Sequence, residues 1–387
     1  MRSSTPPSRD GLPPDPRNFS FVLGGPLFQL LRRAHLTDDA LLLVRQRIVV
    51  ISLFAWLPLL VLSMLEGRFL PGSAPVPFLQ DVEVHVKFLV ALPLLVGAEL
   101  LVHARMHPLA KQFLERRLVP ESAIARFDAA IASASRLRDS VLAEVLIIAF
   151  VCVVGILIVW RQHTALDTAT WYAAPAAEGL RLSLAGRWYG CVSLPIFQFL
   201  LCRWYFRVFI WARFLWQVSR IELSVVPTHP DRVGGLGFLS ITVAAFVPLA
   251  VAHGALLAGQ IADRILFLQA ALPQFKVEIA VVVVFMLCLV PGPLLMFAPQ
   301  LAQAKRTGLR EYGTLAQRYV REFDAKWLRG GALADEPLVG SGDIQSLADL
   351  GTGYDMVRTM RAAPVTRDGV LQVVAATLVP IAPLALT

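Results

Sequence analysis

The sequence has little charge and few cysteines, and both shortages narrow the class of protein. Only 17% of its 387 residues are charged, against about 25% in a typical soluble domain. The four cysteines form no CxxC motif and all fall in apolar stretches, which argues against a disulfide framework or a cysteine-based metal knot. The motifs HExxH, GxSxG and the P-loop are missing as well, so no enzyme class follows from a motif.

Long apolar runs are abundant instead. Hydrophobic residues make up 56% of the chain and are grouped in blocks rather than spread with a short period, the pattern of membrane-spanning helices. We therefore predict an all-α fold, a polytopic transmembrane helical bundle of six to seven spans with cytoplasmic amphipathic helices. The predicted spans are 48–65, 86–103, 141–160, 188–210, 238–258 and 277–297. A further apolar block, 370–387, is predicted to be a seventh span, either complete or cut short.

Composition divides the chain into four regions. Residues 1–18 are rich in proline and polar, which predicts disorder. The bundle follows at 19–297, then a cytoplasmic helical segment at 298–369, then the last apolar block. Within the cytoplasmic segment an aromatic and aliphatic stripe recurs at helical spacing; its members are Tyr312, Leu315, Tyr319, Phe323 and Trp327. Such a stripe can lie on anionic lipid or pack on a neighbouring helix.

The distribution of lysine and arginine predicts the orientation. Alternate segments between the spans hold 29 of these residues, and the segments between them hold 7. By the positive-inside rule the N-terminus is cytoplasmic. The net charge of +8 then reflects topology, and nucleic acid is not an expected partner. The expected partners are the lipid bilayer, its anionic headgroups and further copies of the chain in a homo-oligomer.

One row of titratable residues lies at the end of the second predicted span. Glu99, His103 and His107 are spaced four residues apart, so they share one face of a helix. They can hold a divalent metal ion, the one cofactor that the sequence brings into consideration. The row can equally relay protons, or the histidines can simply stabilise a helix C-terminus.

More titratable residues are predicted at the same membrane surface. Glu144 lies one turn into the third span, and His229, Asp231 and Arg232 lie in the loop THPDRVGGLGF before the fifth. Backbone N–H groups of this loop can bind an anion, with Arg232 assisting, or the loop can be a turn that leads into the membrane. His253 lies far along the fifth span, where an interhelical hydrogen bond is favoured over a role in transport.

Two strings carry a family resemblance. THPDRVGGLGFL and SGDIQSLADL, with the helix EYGTLAQRYVREFDAKW between them, resemble a group of uncharacterised bacterial multi-pass inner-membrane proteins. The resemblance covers most of the chain after residue 18. It implies a location in the bacterial inner membrane and no particular activity.

Three functions remain open from the sequence. A transporter or channel-like protein with a cytoplasmic-side Glu/His cluster is favoured by the helix break expected at Pro291 and Pro293. The first alternative is a membrane-embedded enzyme, metal-dependent through Glu99, His103 and His107, that acts on a lipid or a phosphorylated lipid carrier. The second is a non-catalytic membrane sensor or assembly subunit, because segment 298–369 can dock a partner.

Overall fold

The fold is helical, with a single small β-hairpin in the part of the chain that the structure describes. A computed structural model describes residues 44–153, 170–176, 179–333 and 336–386. Four helices in these ranges are long and apolar enough to cross a membrane, which indicates a membrane protein. They are Val44–Leu65, Val82–Glu115, Leu236–Leu268 and Leu272–Leu289. The predicted disordered segment 1–18 lies outside the described residues.

In the first half of the chain the described residues form seven α-helices and the hairpin. They are α1 Val44–Leu65, α2 Val82–Val86, α3 Leu92–Met106, α4 Leu109–Glu115, α5 Ile124–Arg138, α6 Val141–Phe150, the strands β1 Ala173–Ala176 and β2 Gly179–Leu182, and α7 Leu184–Trp188. The strands pair antiparallel, with Ala173 opposite Leu182. Helices α2 and α3 run on through a π-turn, so they form one continuous helical span.

The second half is also helical. Its helices are α8 Leu194–Val218, α9 Ile241–Ala245, α10 Val247–Leu268, α11 Lys276–Leu289, α12 Ala298–Phe323, α13 Gly342–Arg358 and α14 Arg367–Leu378. Short 3₁₀ segments at Leu236–Ser240, Leu272–Phe275, Gly292–Phe297 and Ala382–Leu386 lie between or after them.

Prolines explain where the long helices change their winding. The π-turns Lys87–Ala91 and Tyr189–Ser193 each end two residues before a proline, Pro93 and Pro195. Proline has no N–H and its ring clashes with the preceding turn, so a wider turn relieves the crowding. The predicted break near Pro291 is present: α11 ends at Leu289 and a 3₁₀ segment precedes α12.

Three predicted spans differ in the structure. The third is apolar helix from Val141 to Val153, and residues 154–160 lie outside the described part. The fourth corresponds to the helical stretch 184–218, whose many polar and aromatic residues keep it out of the four most apolar helices. The seventh span is not confirmed, because α14 has only 12 residues, about 18 Å at 1.5 Å per residue, against a hydrocarbon core of about 30 Å.

The segment after the bundle folds into a helical hairpin. Helix α12 packs along α13, and two residues of the predicted stripe make the contact. The Tyr319 hydroxyl donates to the carbonyl oxygen of Asp343 at 3.0 Å, and Trp327 Nε1 donates to its carboxylate at 2.9 Å. These two members of the stripe therefore pack on a neighbouring helix, while Leu315 stays half exposed.

Candidate functional site

Among the described residues, buried charges gather at two places in the bundle. The first is an arginine cluster of Arg47, Glu99, Arg203 and Arg207. The Glu99 carboxylate forms one ion pair with Arg47 and another with Arg207, the latter at 2.7 Å. All four side chains are less than a tenth exposed. Arg203 has no ion pair or hydrogen bond with another described residue, although Glu99 and Glu144 are its electrostatic neighbours. The cluster therefore holds more guanidinium groups than paired carboxylates.

Three helices supply the arginine cluster and hold it in place. Arg47 lies on α1, Glu99 on α3, and the other two arginines lie one turn apart on α8. The Arg207 guanidinium stacks 5.0 Å from the centre of the Trp204 ring, and Trp204 Nε1 donates to the carbonyl oxygen of Leu95 at 2.8 Å. A delocalised guanidinium suits such stacked and paired burial better than an ammonium group does.

The predicted metal row does not come together around Glu99. The rings of His103 and His107 lie 5.3 Å apart, centre to centre. The carboxylate of Glu99, however, is occupied by two arginines on other helices. Within the described ranges no group of three His, Cys, Asp or Glu side chains is arranged to hold a metal ion.

The second place is a carboxylate cluster, defined by Asp81, Glu83, Lys87, Tyr189 and Asp263. Two of its carboxylates meet at the N-terminus of α2. The Asp263 carboxylate accepts from the backbone N–H groups of Val82 at 2.8 Å and Glu83 at 3.1 Å. Asp81 accepts from the N–H of Val84 at 2.9 Å. The unsatisfied N–H groups and the positive end of the helix dipole favour negative charge at this point.

A lysine and a tyrosine complete the carboxylate cluster one turn further along. Lys87 Nζ donates to Glu83 at 2.8 Å and to the Tyr189 hydroxyl at 3.0 Å. Lys87 and Tyr189 are the first residues of the two π-turns, so both wide turns face each other at this contact. Asp81 is held by Trp171, whose Nε1 donates to it at 2.8 Å. Single π-turns within α-helices are frequent at functional sites.

The two clusters lie along one long helix. Lys87 and Glu99 are both on the helix Val82–Glu115, and their separation of 12 residues corresponds to about 18 Å along its axis. The helix therefore carries ionisable side chains near its start and near its middle, with buried apolar residues such as Leu92, Leu95 and Val96 between them.

Backbone N–H groups of the loop THPDRVGGLGF donate to the side chain of Asp231 in the same loop. The Asp231 carboxylate accepts from the N–H groups of Val233 at 2.9 Å, Gly235 at 3.1 Å and Gly237 at 2.8 Å. Burial raises the pKa of Asp231, but these three N–H groups and the nearby His229 outweigh it, and the pKa lies below its usual value. The Asp231 carboxylate therefore occupies the backbone N–H groups that were expected to bind an anion.

The same loop anchors the C-terminal segment. Arg232 adopts a left-handed conformation with φ 58°, and its carbonyl oxygen accepts from the N–H of Arg361 at 2.7 Å. The Arg361 guanidinium also donates to the carbonyl oxygen of Asp231 at 3.1 Å. These bonds run to the segment before α14 and not to Glu99 or Glu144, so the turn interpretation fits His229, Asp231 and Arg232 best.

His253 makes an interhelical hydrogen bond. Its Nδ1 lies 2.7 Å from the carbonyl oxygen of Leu249, which can only accept. In the neutral ring Nε2 is then an acceptor, and the Tyr205 hydroxyl donates to it at 2.6 Å. This contact joins α8 to α10, as the sequence interpretation favoured.

Sequence reasoning missed most of both clusters. Two cluster members in the region DVEVHVK, Asp81 and Glu83, precede the second predicted span of 86–103, and Lys87 lies at its start. Asp263 is an ionisable residue at the end of an apolar run, and its position in the sequence could have indicated the carboxylate cluster. The arginines of the first cluster were assigned only to orientation.

Comparison with known proteins adds no family and no function. None of the family models, curated proteins or solved structures compared with this chain matches it. The family resemblance carried by THPDRVGGLGFL and SGDIQSLADL stays an expectation. The geometry of the two clusters is what remains to support a function.

Proposed function

We propose that the protein is a proton-linked membrane transporter. The observation that carries the proposal is the meeting of Asp81 and Asp263 at one helix end within the bundle. Ionisable side chains are costly inside a membrane protein and mark ion and proton paths. Burial raises the pKa of Asp81, although hydrogen bonds from Trp171 and Val84 favour its charged form. A carboxyl group with a raised pKa exchanges a proton closer to neutral pH.

The proposed transport path runs from the carboxylate cluster to the arginine cluster. Three guanidinium groups surround Glu99 there, so an anion is the substrate charge that this end favours. Protons would bind at the carboxylate cluster, and the anion at the arginine cluster. The enzyme alternative needed Glu99, His103 and His107 to converge, and their geometry gives it no comparable support.

Six spans of alternating direction account for both clusters. The arginine cluster uses the start of the first span and the end of the second and fourth, all of which lie on one side in such a path. The carboxylate cluster uses the start of the second and fourth spans and the end of the fifth, all of which lie on the other. The proposal puts the N-terminus and the arginine cluster at the cytoplasmic face of a bacterial inner membrane.

Electrophysiology on solid-supported membranes tests the proposal without knowledge of the substrate. Proteoliposomes that contain the full chain receive a downward step in external pH, and the transient current is recorded. Proton binding to membrane-embedded carboxylates displaces charge, so we expect a transient in the wild type and its loss in Asp263→Asn. The matched control is Glu311→Gln, which neutralises an exposed carboxylate on α12 and should keep the transient.

Either of two results would contradict the proposal. One is the absence of any charge movement in correctly oriented wild-type protein. The other is an equal transient in wild type and Asp263→Asn, since the carboxylate would then serve only as a cap for α2.

A further inference from the structure

A pocket opens beside the arginine cluster, between three helices. It has a volume of about 380 Å³, within the ~300–1,000 Å³ typical of ligand sites. Its walls come from α1, α8 and the stretch Val141–Val153. Apart from two arginines and a cysteine, the side chains that line it are hydrocarbon.

Two arginine side chains lie at one end of the pocket. Arg47 and Arg203 both line it, and they are 2% and 7% exposed. The Nε of Arg47 is buried and has no hydrogen-bond partner, while its Nη2 is bound to Glu99. Within the described residues Arg203 forms no hydrogen bond either. A buried donor such as Arg47 Nε is costly when unpaired, so its placement beside a pocket indicates a missing acceptor.

The other end of the pocket faces the surface that lipid would cover. Val50, Phe54 and Ile148 line it and are each about half exposed. In a bilayer such exposed apolar side chains on membrane helices face acyl chains. A ligand can therefore enter the pocket sideways from the membrane.

We propose that this pocket binds one anionic phospholipid, whose headgroup phosphate pairs with Arg47 and Arg203 and whose acyl chain fills the apolar groove. A phosphate accepts hydrogen bonds from guanidinium groups in the geometry that arginine favours. The hydrocarbon walls favour an acyl chain, which a free anion in water does not have. Lipid binding is measured directly, so the inference does not depend on transport.

Native mass spectrometry of the full chain in detergent tests the proposal. Phosphatidylglycerol is titrated against phosphatidylcholine with the same acyl chains, and inorganic phosphate is titrated in a separate series. We expect phosphatidylglycerol to bind at least about tenfold more tightly than phosphatidylcholine, the size expected for one charge-assisted hydrogen bond. Inorganic phosphate should bind more weakly than phosphatidylglycerol, because it gains nothing from the groove.

Two pairs of variants separate headgroup from chain recognition. Arg203→Met should weaken the binding of phosphatidylglycerol and leave the binding of phosphatidylcholine unchanged. The control is Arg213→Met, because Arg213 donates to Ser133 instead, and this variant should bind both lipids as the wild type does. Ile148→Trp fills the groove and should weaken the binding of both lipids. The matched control is Val145→Trp, an exposed position on the same helix that does not line the pocket.

Three results would overturn the proposal. Equal binding of the two lipids would show that the arginines do not select the headgroup. Unchanged phosphatidylglycerol affinity in Ile148→Trp would show that the groove is not the acyl site. Inorganic phosphate that binds as tightly as phosphatidylglycerol would identify a site for a free anion. If Arg203→Met fails to fold, the Ile148→Trp pair and the phosphate series still decide.

Discussion

Glu99 is the residue on which the arginine cluster depends. It is the only carboxylate that forms ion pairs with the buried arginines among the described residues. Replacing it with glutamine leaves guanidinium groups buried without a counter-charge, a change that typically costs about 3–5 kcal/mol. We expect Glu99→Gln to lower the thermal unfolding temperature of the detergent-purified protein strongly.

An exposed glutamate provides the comparison for this prediction. Glu115 pairs with Lys111 at 3.1 Å, but both side chains are more than half exposed. Solvent-exposed pairs contribute about 0–1 kcal/mol, so Glu115→Gln should unfold close to the wild-type temperature. Equal effects of the two variants would mean that burial of the Glu99 ion pairs contributes little.

Asp231 gives a pH-dependent prediction. Its pKa is lower in the folded protein than the value of about 3.9 expected in the unfolded chain. The ionised carboxylate therefore stabilises the fold above that pH, and the contribution is lost as pH falls through the lowered pKa. Asp231→Asn should be less stable than wild type by about 1–3 kcal/mol near neutral pH, the range for buried groups left unsatisfied.

The difference between the two proteins is the quantity to measure. Thermal unfolding of wild type and Asp231→Asn is followed from neutral to acid pH, and the gap should close on the acid side. Asp349→Asn, at an exposed position on α13, should show no such gap. A gap that stays constant at all pH values would contradict the assignment of the effect to ionised Asp231.

Sequence alone identified Glu99 but not what it does. Its spacing from His103 and His107 on one helix suggested a shared ligand. Its actual partner Arg47 lies 52 residues away on another helix, and Arg207 lies on a third. Such contacts depend on how helices pack and leave no local periodicity. Asp231 was accessible to sequence reasoning because the partners of its carboxylate lie within six residues.

At the scale of helices, apolar length was a good guide and local winding was not. The long apolar runs correspond to long helices because a spanning helix must satisfy its backbone internally. The π-turns before Pro93 and Pro195 were not anticipated. Helix α14 is short because Pro380 and Pro383 follow soon after it, and proline cannot continue a helix.

The short helix α14 instead packs against the fifth span, and a glycine makes this possible. A Cβ placed on Gly254 would overlap the carbonyl oxygen of Thr377 on α14. Because Gly254 is helical, alanine is favourable for the backbone there, and any loss comes from packing. We expect Gly254→Ala to destabilise the protein by about 1–3 kcal/mol, as overpacking does, measured by thermal unfolding.

Gly351→Ala is the control for this packing prediction. Gly351 lies within α13, and nothing is close to the position of its added Cβ. Alanine there should leave stability unchanged or raise it by up to about 1 kcal/mol. If Gly254→Ala behaves in the same way, α14 is not held against α10 at this point.

At the scale of the whole molecule, charge distribution and cluster position agree. Three arginines that were counted as cytoplasmic, together with Lys87 on the other side, are buried in clusters. Without these four residues, the segments predicted to be cytoplasmic still hold 26 lysines and arginines, and the segments between them hold 6. The positive-inside prediction therefore does not depend on residues whose positions are explained by burial.

Cysteine labelling of intact cells checks both the orientation and the number of spans. Two positions are used in a chain whose four native cysteines are replaced by alanine: Ser73, before the second span, and Gln345, on α13, both exposed. With six spans, five lie between these positions, so they face opposite sides. We expect a membrane-impermeant maleimide to label Ser73→Cys in intact cells and Gln345→Cys only after lysis.

Each other pattern has a distinct meaning. The reversed pattern would place the arginine cluster at the outer face, where the positive-inside rule does not put it. Labelling of both positions in intact cells, or of neither, would mean that an even number of spans separates them. In that case a helix counted here as a span, with the apolar stretch Val141–Val153 the first to re-examine, does not cross. The two clusters would then not lie at opposite faces, and the proposed path would lose its geometry.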